Sequence, residues 1–203
     1  DFDKDLPKIK GASEGLSQYY ALEQKTDLFS FNTGRVFAKV GWNKSKKGIQ
    51  KIPVRFVLVD NASHLTRRGI ENLLKRSAKV FLVTTNPKHP AFHIKDANLE
   101  TIFFAKKVDF HSLFRKLKQK YGVNRLTVQS GGNMNAQLVR DGLIDRLSIV
   151  YAPIIVGGGQ TSSLIDGPSI TKQSELDWIK TFNLKKVQNL KGSYLHLVYE
   201  WKK

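Results

Sequence analysis

The chain has 203 residues with 34 Lys+Arg against 17 Asp+Glu, a formal net charge of +17, and it is 40% hydrophobic and 25% charged. A packed globular core is expected at that composition, and a field of that sign draws anions such as phosphorylated metabolites, dinucleotides or nucleic acid. Cysteine is absent, which excludes a disulfide framework, thiolate zinc sites and a cysteine nucleophile and fits a reducing cytoplasm; no long uncharged apolar run suggests a membrane span, and "DFDKDLPKIK" lacks the apolar core of a signal peptide.

In chain order, 13–26 predicts a helix capped by Ser13, with Leu16, Tyr19 and Tyr20 on one face. "DLFSF" (27–31) predicts a short strand and "TGRVFAKVG" (33–41) a helical turn. "NKSKKGIQK" (43–51) is a basic loop without the aromatic interleaving of a single-strand platform. "VRFVLVD" (54–60) is a nearly continuous apolar run with β-branched residues, as in a strand buried on both faces. A helix over 66–78 and a strand over 79–85 follow, then an Asn86-Pro87 turn and a strand over 100–105. The helix over 109–122 has Asp109 as cap and Gly122 beyond its end. A strand is expected at 125–130, a helix at 133–141 and a strand at 145–153. The stretch from Leu176 to Trp201 predicts an antiparallel hairpin adding an antiparallel edge. Strand–helix alternation without a repeat or linker argues one α/β domain over 1–203, with a mostly parallel central sheet flanked by helices.

The informative stretch is "VQSGGNMNAQLVRDGLIDRLSIVYAPIIVGGGQ". A strand enters Ser130-Gly131-Gly132-Asn133, where a helix begins. A helix N-terminus exposes unpaired N–H groups, and glycine lets an anion approach them. The same glycines also suit a plain strand-to-helix turn; the pattern is neither GxGxxG nor a Walker motif.

Over about 40 residues this stretch resembles the reductase domain of the bifunctional riboflavin-biosynthesis deaminase–reductases, which has a dihydrofolate-reductase-like fold. The matches are Gly131-Gly132, Gly142-Leu143-Ile144-Asp145, Ala152-Pro153 and Gly157-Gly158-Gly159. "RFVLVDNASHL" and "KTDLFSFNTGRVFAK" carry a weaker likeness. The resemblance implies NADPH as cofactor and hydride transfer to a phosphoribosylated aminopyrimidine. It places cofactor contacts at Gly131, Gly132, Asn133, Met134 and Asn135, and at Asn61, where the family has serine. A 2′-phosphate is expected near Asn61, Thr84 and Thr85. The second glycine run, 157–159, is expected to be a structural loop.

Departures are equally specific. The family's threonine and aspartate fall at Arg35 and Lys39, so Arg35 is expected to turn inward and pair with a phosphate. The family's substrate-binding glutamate falls at Gln129, which keeps hydrogen-bonding capacity without charge. Its substrate-clamping arginine falls at Glu23 in ungapped alignment, and its tryptophan at Ile9. The family's opening strand, a wall of the substrate site, has no counterpart before "DFDKDLPKIKG". No catalytic residue is assigned, since hydride chemistry is carried by the cofactor. No metal is expected: His89 and His93 are spaced i,i+4 but flank Pro90 and read as surface residues, while His64, His111 and His196 stand isolated. The partner expected is a small-molecule substrate in preference to nucleic acid, with no membrane; a homodimer is left open. Two other readings stay open, a non-catalytic nucleotide-binding homologue and a basic RNA-binding module.

Overall fold

The computed structural model describes residues 5–12, 15–23, 25 and 27–202; the Ser13 cap falls outside them. By its internal contacts the chain forms two compact units, Thr26–Ser130 and the N-terminal residues through Lys25 with Gly131–Lys203.

The first unit is a five-stranded parallel sheet of β1 (Phe29–Thr33), β2 (Arg55–Val59), β3 (Lys79–Thr84), β4 (Leu99–Phe103) and β5 (Thr127–Val128), in the order β4-β3-β2-β1-β5. Strands β2 and β3 are apolar except at their ends, because both faces of the sheet are covered there. Phe56, Leu58, Val80 and Leu82 pack with Leu73 and Ile70 of the helix Arg67–Arg76. Phe31, on the opposite pleat, meets Phe110 and Phe114 of the helix Phe110–Tyr121 edge-on. That helix is bounded as its sequence indicates: Asp109 accepts from the Ser112 amide, and Gly122 takes φ +65°. A short helix, Gly34–Lys39, follows β1 with Thr33 as cap. Strand β5 is only two residues long because it pairs with β1 solely at Ser30 and Phe31.

The second unit contains α1 (Leu16–Glu23), the helix Gly132–Arg140, and strands β6 (Arg146–Tyr151), β7 (Phe182–Asn189) and β8 (Leu195–Trp201). In chain order the helices are α1, α2 (Gly34–Lys39), α3 (Arg67–Arg76), α4 (Phe110–Tyr121) and α5 (Gly132–Arg140). The C-terminal hairpin forms, but it does not edge the parallel sheet. It combines with β6 into a separate antiparallel sheet, β6-β8-β7. The buried Tyr194 ring packs on Gly15, and its hydroxyl donates to the Ala12 carbonyl, tying the N-terminal residues to this unit. Tyr19 and Tyr20 lie 41% and 37% exposed on α1, so they do not form the buried face that their spacing suggests.

Candidate functional site

The strand order contains one reversal. From β1 the chain winds outward through β2, β3 and β4, then returns to place β5 on the other side of β1. A parallel sheet opens a crevice outside the carboxyl ends of its strands at such a switch point. The residues leaving β1 are Thr33, Gly34 and Arg35, and those leaving β5 are Gln129 and Ser130.

Beside the switch point, after β2, lies Asp60, which is fully buried. Its Oδ1 accepts from the His64 amide at 2.9 Å and meets His64 Nδ1 at 3.0 Å. Its Oδ2 accepts from the Leu65 amide at 2.9 Å and meets His89 Nε2 at 3.1 Å. His89 Nδ1 accepts from the Ala91 amide, so Nε2 carries the hydrogen and donates to Asp60. Burial pushes the Asp60 carboxyl up, but the bonds from His89, Leu65 and His64 together hold it below its ordinary value. Gly34 is required here, because a Cβ would stand 2.3 Å from Asp60 Cγ. The expectation of a surface His89 and an isolated His64 is therefore corrected: both are partners of one carboxylate. His93 is exposed in the turn Pro90–His93, and no group of side chains among the described residues is placed to hold a metal.

Thr84 is also corrected. Its buried hydroxyl donates to the Asp60 carbonyl and accepts from the Asn86 amide, so it is an internal clamp. Asn61 is exposed, and its Oδ1 accepts from the Thr85 amide at 2.9 Å, joining the loops after β2 and β3. Gln129 Oε1 accepts from Ser30 at 2.9 Å. Arg35 is exposed, without a hydrogen bond or ion pair among the described residues. It does not occupy a closed pocket. Arg35, Asn61 and Gln129 thus all follow carboxyl ends of strands in one unit.

The glycine pair lies at the start of α5 in the other unit, and its two members differ. Gly131 is the N-cap, exposed, with nothing within 4 Å of the place a Cβ would take. Gly132 is closed over by its own chain: a Cβ would lie 2.2 Å from Asp166 Oδ2 and 2.6 Å from the Ser163 carbonyl oxygen, and the Asp166 amide donates to the Gly132 carbonyl. Asp166 is fixed by the Ser163 amide and hydroxyl, which hold its carboxyl below the usual value. A carboxylate thus already faces the N-terminal turn of α5 at Gly132, where a phosphate would meet like charge. Backbone open to a phosphate remains at Gly131. Asn135 donates to the Leu164 carbonyl, Asn133 is exposed and Met134 half-buried. Residues 157–159 form an exposed turn closed by Thr161, which bonds to Gly157 and Gly158.

The charge is not evenly spread. Residues 26–130 hold 21 Lys+Arg against 6 Asp+Glu, a formal +15 of the chain's +17. The field is therefore concentrated on the unit bearing the switch point. No helix among the described residues is long and apolar enough to cross a membrane.

A family model described as the RibD C-terminal domain matches residues 17–195. A 2,5-diamino-6-ribosylamino-4(3H)-pyrimidinone 5′-phosphate reductase of Archaeoglobus fulgidus is 28% identical over 145 residues, 70% of this chain and 64% of the relative. A reductase of the same name from Aquifex aeolicus is 29% identical over 129 residues, 62% of this chain and 56% of the relative. The chain thus spans less than two thirds of these relatives. Among solved structures, the riboflavin biosynthesis reductase Rib7 of Saccharomyces cerevisiae matches with TM-score 0.60 at 20% identity, covering 95% of this chain and 82% of that one. A pyrimidine reductase-like protein of Corynebacterium diphtheriae matches with TM-score 0.64 at 11% identity, over 96% and 86%. At such identities the structures establish the shared α/β fold.

Proposed function

Since the chain belongs to the RibD C-terminal domain family, we propose that it is an NADPH-dependent reductase of a phosphoribosylated aminopyrimidine. The observation that carries the reading is the switch point between β1 and β5, where Arg35 and Gln129 leave adjacent parallel strands. It is the position at which an open α/β sheet takes a ligand. The names of the two reductase relatives supply the substrate class.

The nicotinamide, when bound, supplies the hydride. The chain's own residues bind, orient and move a proton. Gly131 offers open backbone to a cofactor phosphate, and the exposed Arg35 guanidinium is a bidentate donor for a second anion. Asn61, held by the Thr85 amide, fixes the loop after β2. Gln129 removes the negative charge that the family's glutamate would set against a phosphorylated substrate. Opening the ribose ring also needs a proton at its oxygen. His64 is our candidate donor. Its side chain is 41% exposed, and Asp60 engages its Nδ1, which leaves Nε2 as the ring nitrogen turned away from that carboxylate. The field of the +15 unit steers both anionic ligands inward.

The test is a titration of NADPH and NADH at two salt concentrations, followed by turnover on a panel of phosphoribosyl-pyrimidines and pterins. A preference for NADPH at low salt and consumption only with the phosphoribosyl-pyrimidines are expected. Equal affinities remove the charge argument. Cofactor binding without turnover on any pyrimidine replaces the reading with a non-catalytic nucleotide-binding homologue.

A further inference from the structure

A hollow of about 440 Å³ opens at the opposite, N-terminal edge of the parallel sheet, lined by Phe29, Arg55, Lys79, Phe81, Tyr121 and Gly122. Phe29, Arg55 and Lys79 are the first residues of β1, β2 and β3 and stand in register across the sheet. In-register residues of neighbouring strands share a face, so the two cations lie side by side on the face covered by α4. The buried pleat of a sheet would ordinarily hold apolar residues there.

Both cations are half-buried, and among the described residues no carboxylate lies within 4.0 Å of either. Aromatic rings hold them instead. Arg55 Cζ lies 5.1 Å from the Phe29 centroid, and Lys79 Nζ lies 5.6 Å and 6.0 Å from those of Phe81 and Tyr121. Glu100, across from Phe81 on β4, accepts from the Tyr121 hydroxyl and from Lys120, and Lys79 acts on it only from beyond 4.0 Å. Like charges directly opposite on adjacent strands destabilise a sheet. An anion received between them would offset that repulsion. A guanidinium lying over a ring still presents its N–H fork at the rim. Gly122, at φ +65°, leaves the wall beside Tyr121 open, with nothing within 4 Å of the place a side chain would fill.

We propose that this hollow is a second ligand site, taking a small phosphate ester that carries a flat aromatic ring. The phosphate sits between Arg55 and Lys79, and the ring packs against the half-buried Phe29 and Tyr121. The volume suits a compact ligand of this class. The proposal does not depend on the reductase reading, because the residues begin the strands whose other ends carry that site.

Phenyl phosphate is the probe, titrated into the full chain by amide-resolved NMR, with inorganic phosphate and phenol as separate arms. Saturable shifts centred on Arg55, Lys79 and Gly122 are expected, with either component alone binding at least about tenfold more weakly. The double variant R55Q/K79Q should lose about tenfold or more in affinity, while R55K/K79R, which keeps both charges, should retain binding; circular dichroism confirms that each is folded. Shifts at Arg35 and Asn61 only, shifts scattered over the lysine surface, equal affinity in the folded R55Q/K79Q, or inorganic phosphate binding as tightly as the ester would each overturn the proposal.

Discussion

Substituting the two glycines of α5 one at a time separates a phosphate-binding role from a packing role. At Gly132 a methyl group would stand 2.2 Å from Asp166 Oδ2, 2.5 Å from its Cγ and 2.6 Å from the Ser163 carbonyl oxygen. The carboxylate can swing aside, although it would leave the Ser163 amide and hydroxyl. The carbonyl is backbone and can yield only if the 163–166 loop shifts. Overpacking of this kind costs about 1–3 kcal/mol, less the few tenths to about 1 kcal/mol by which alanine outranks glycine inside a helix. Gly132→Ala should therefore lower the melting temperature of the ligand-free protein by a few degrees, at about 2–4 °C per kcal/mol for a chain of this size. Gly131 has φ −79° and no atom near a Cβ. Alanine there gains about 0.4–1 kcal/mol from the unfolded chain and loses a similar amount as a poor N-cap, so stability should stay within about 1 kcal/mol of the parent. A methyl group on the open backbone should nevertheless weaken NADPH by about tenfold, roughly 1.4 kcal/mol. Urea unfolding of the ligand-free variants and fluorescence titration of NADPH read both quantities. Unchanged NADPH affinity in Gly131→Ala, together with undiminished stability in Gly132→Ala, would refute the assignment of separate roles to the pair.

Four further outcomes follow from the same geometry. Asp60→Asn turns an amide N–H₂ toward a backbone donor and should cost about 1–3 kcal/mol in urea unfolding at neutral pH. The Asp60 carboxyl is held below its ordinary value in the fold, so its contribution is present above the unfolded value and fades as pH falls through the carboxylate range; parent and variant should converge in acid. His196 is buried, with Nε2 at 2.8 Å from Ser148 Oγ and Nδ1 without a partner among the described residues; burial, then Lys186 and Arg146, lower its pKa. Its neutral form stabilises the fold above about pH 6.5, and that contribution is lost as pH falls, so His196→Gln should lose less stability than the parent between about pH 7.5 and 5. Arg35→Ala should lower NADPH affinity and flatten its salt dependence without changing the melting temperature, and an unchanged titration would assign Arg35 to the solvated surface. His64→Gln keeps a polar side chain of similar reach but lacks an imidazole to donate a proton, so turnover should fall well below the parent with KM little altered; unchanged turnover would remove His64 as proton donor.

Much of the fold is legible in the residues because local signals and global packing agree. The nearly continuous apolar run at 54–60 becomes β2, buried at Val57, Leu58 and Val59, and Asp109 and Gly122 bound α4 as their side-chain chemistry dictates. The tyrosines of α1 show where spacing misleads, since that helix has no amphipathic stripe and buries neither ring. The site is less legible. Asp60 gathers His89 from 29 positions away, across β3, and no spacing within one element announces that pairing. The basic residues look dispersed along the chain until the units are known, and then +15 falls in one of them. A Gly-Gly pair likewise cannot disclose which member is closed over, because Asp166 comes from a loop more than thirty positions downstream.

Hydride transfer by this chain is read most directly by following NADPH absorbance and product mass together. The purified chain is incubated with NADPH and a 2,5-diamino-6-ribosylamino-pyrimidinone 5′-phosphate, the substrate class in its relatives' names. Stoichiometric loss of NADPH is expected, with a product heavier by one hydride and one proton. NADPH that binds yet is not consumed, with the pyrimidine recovered at its original mass, would contradict it.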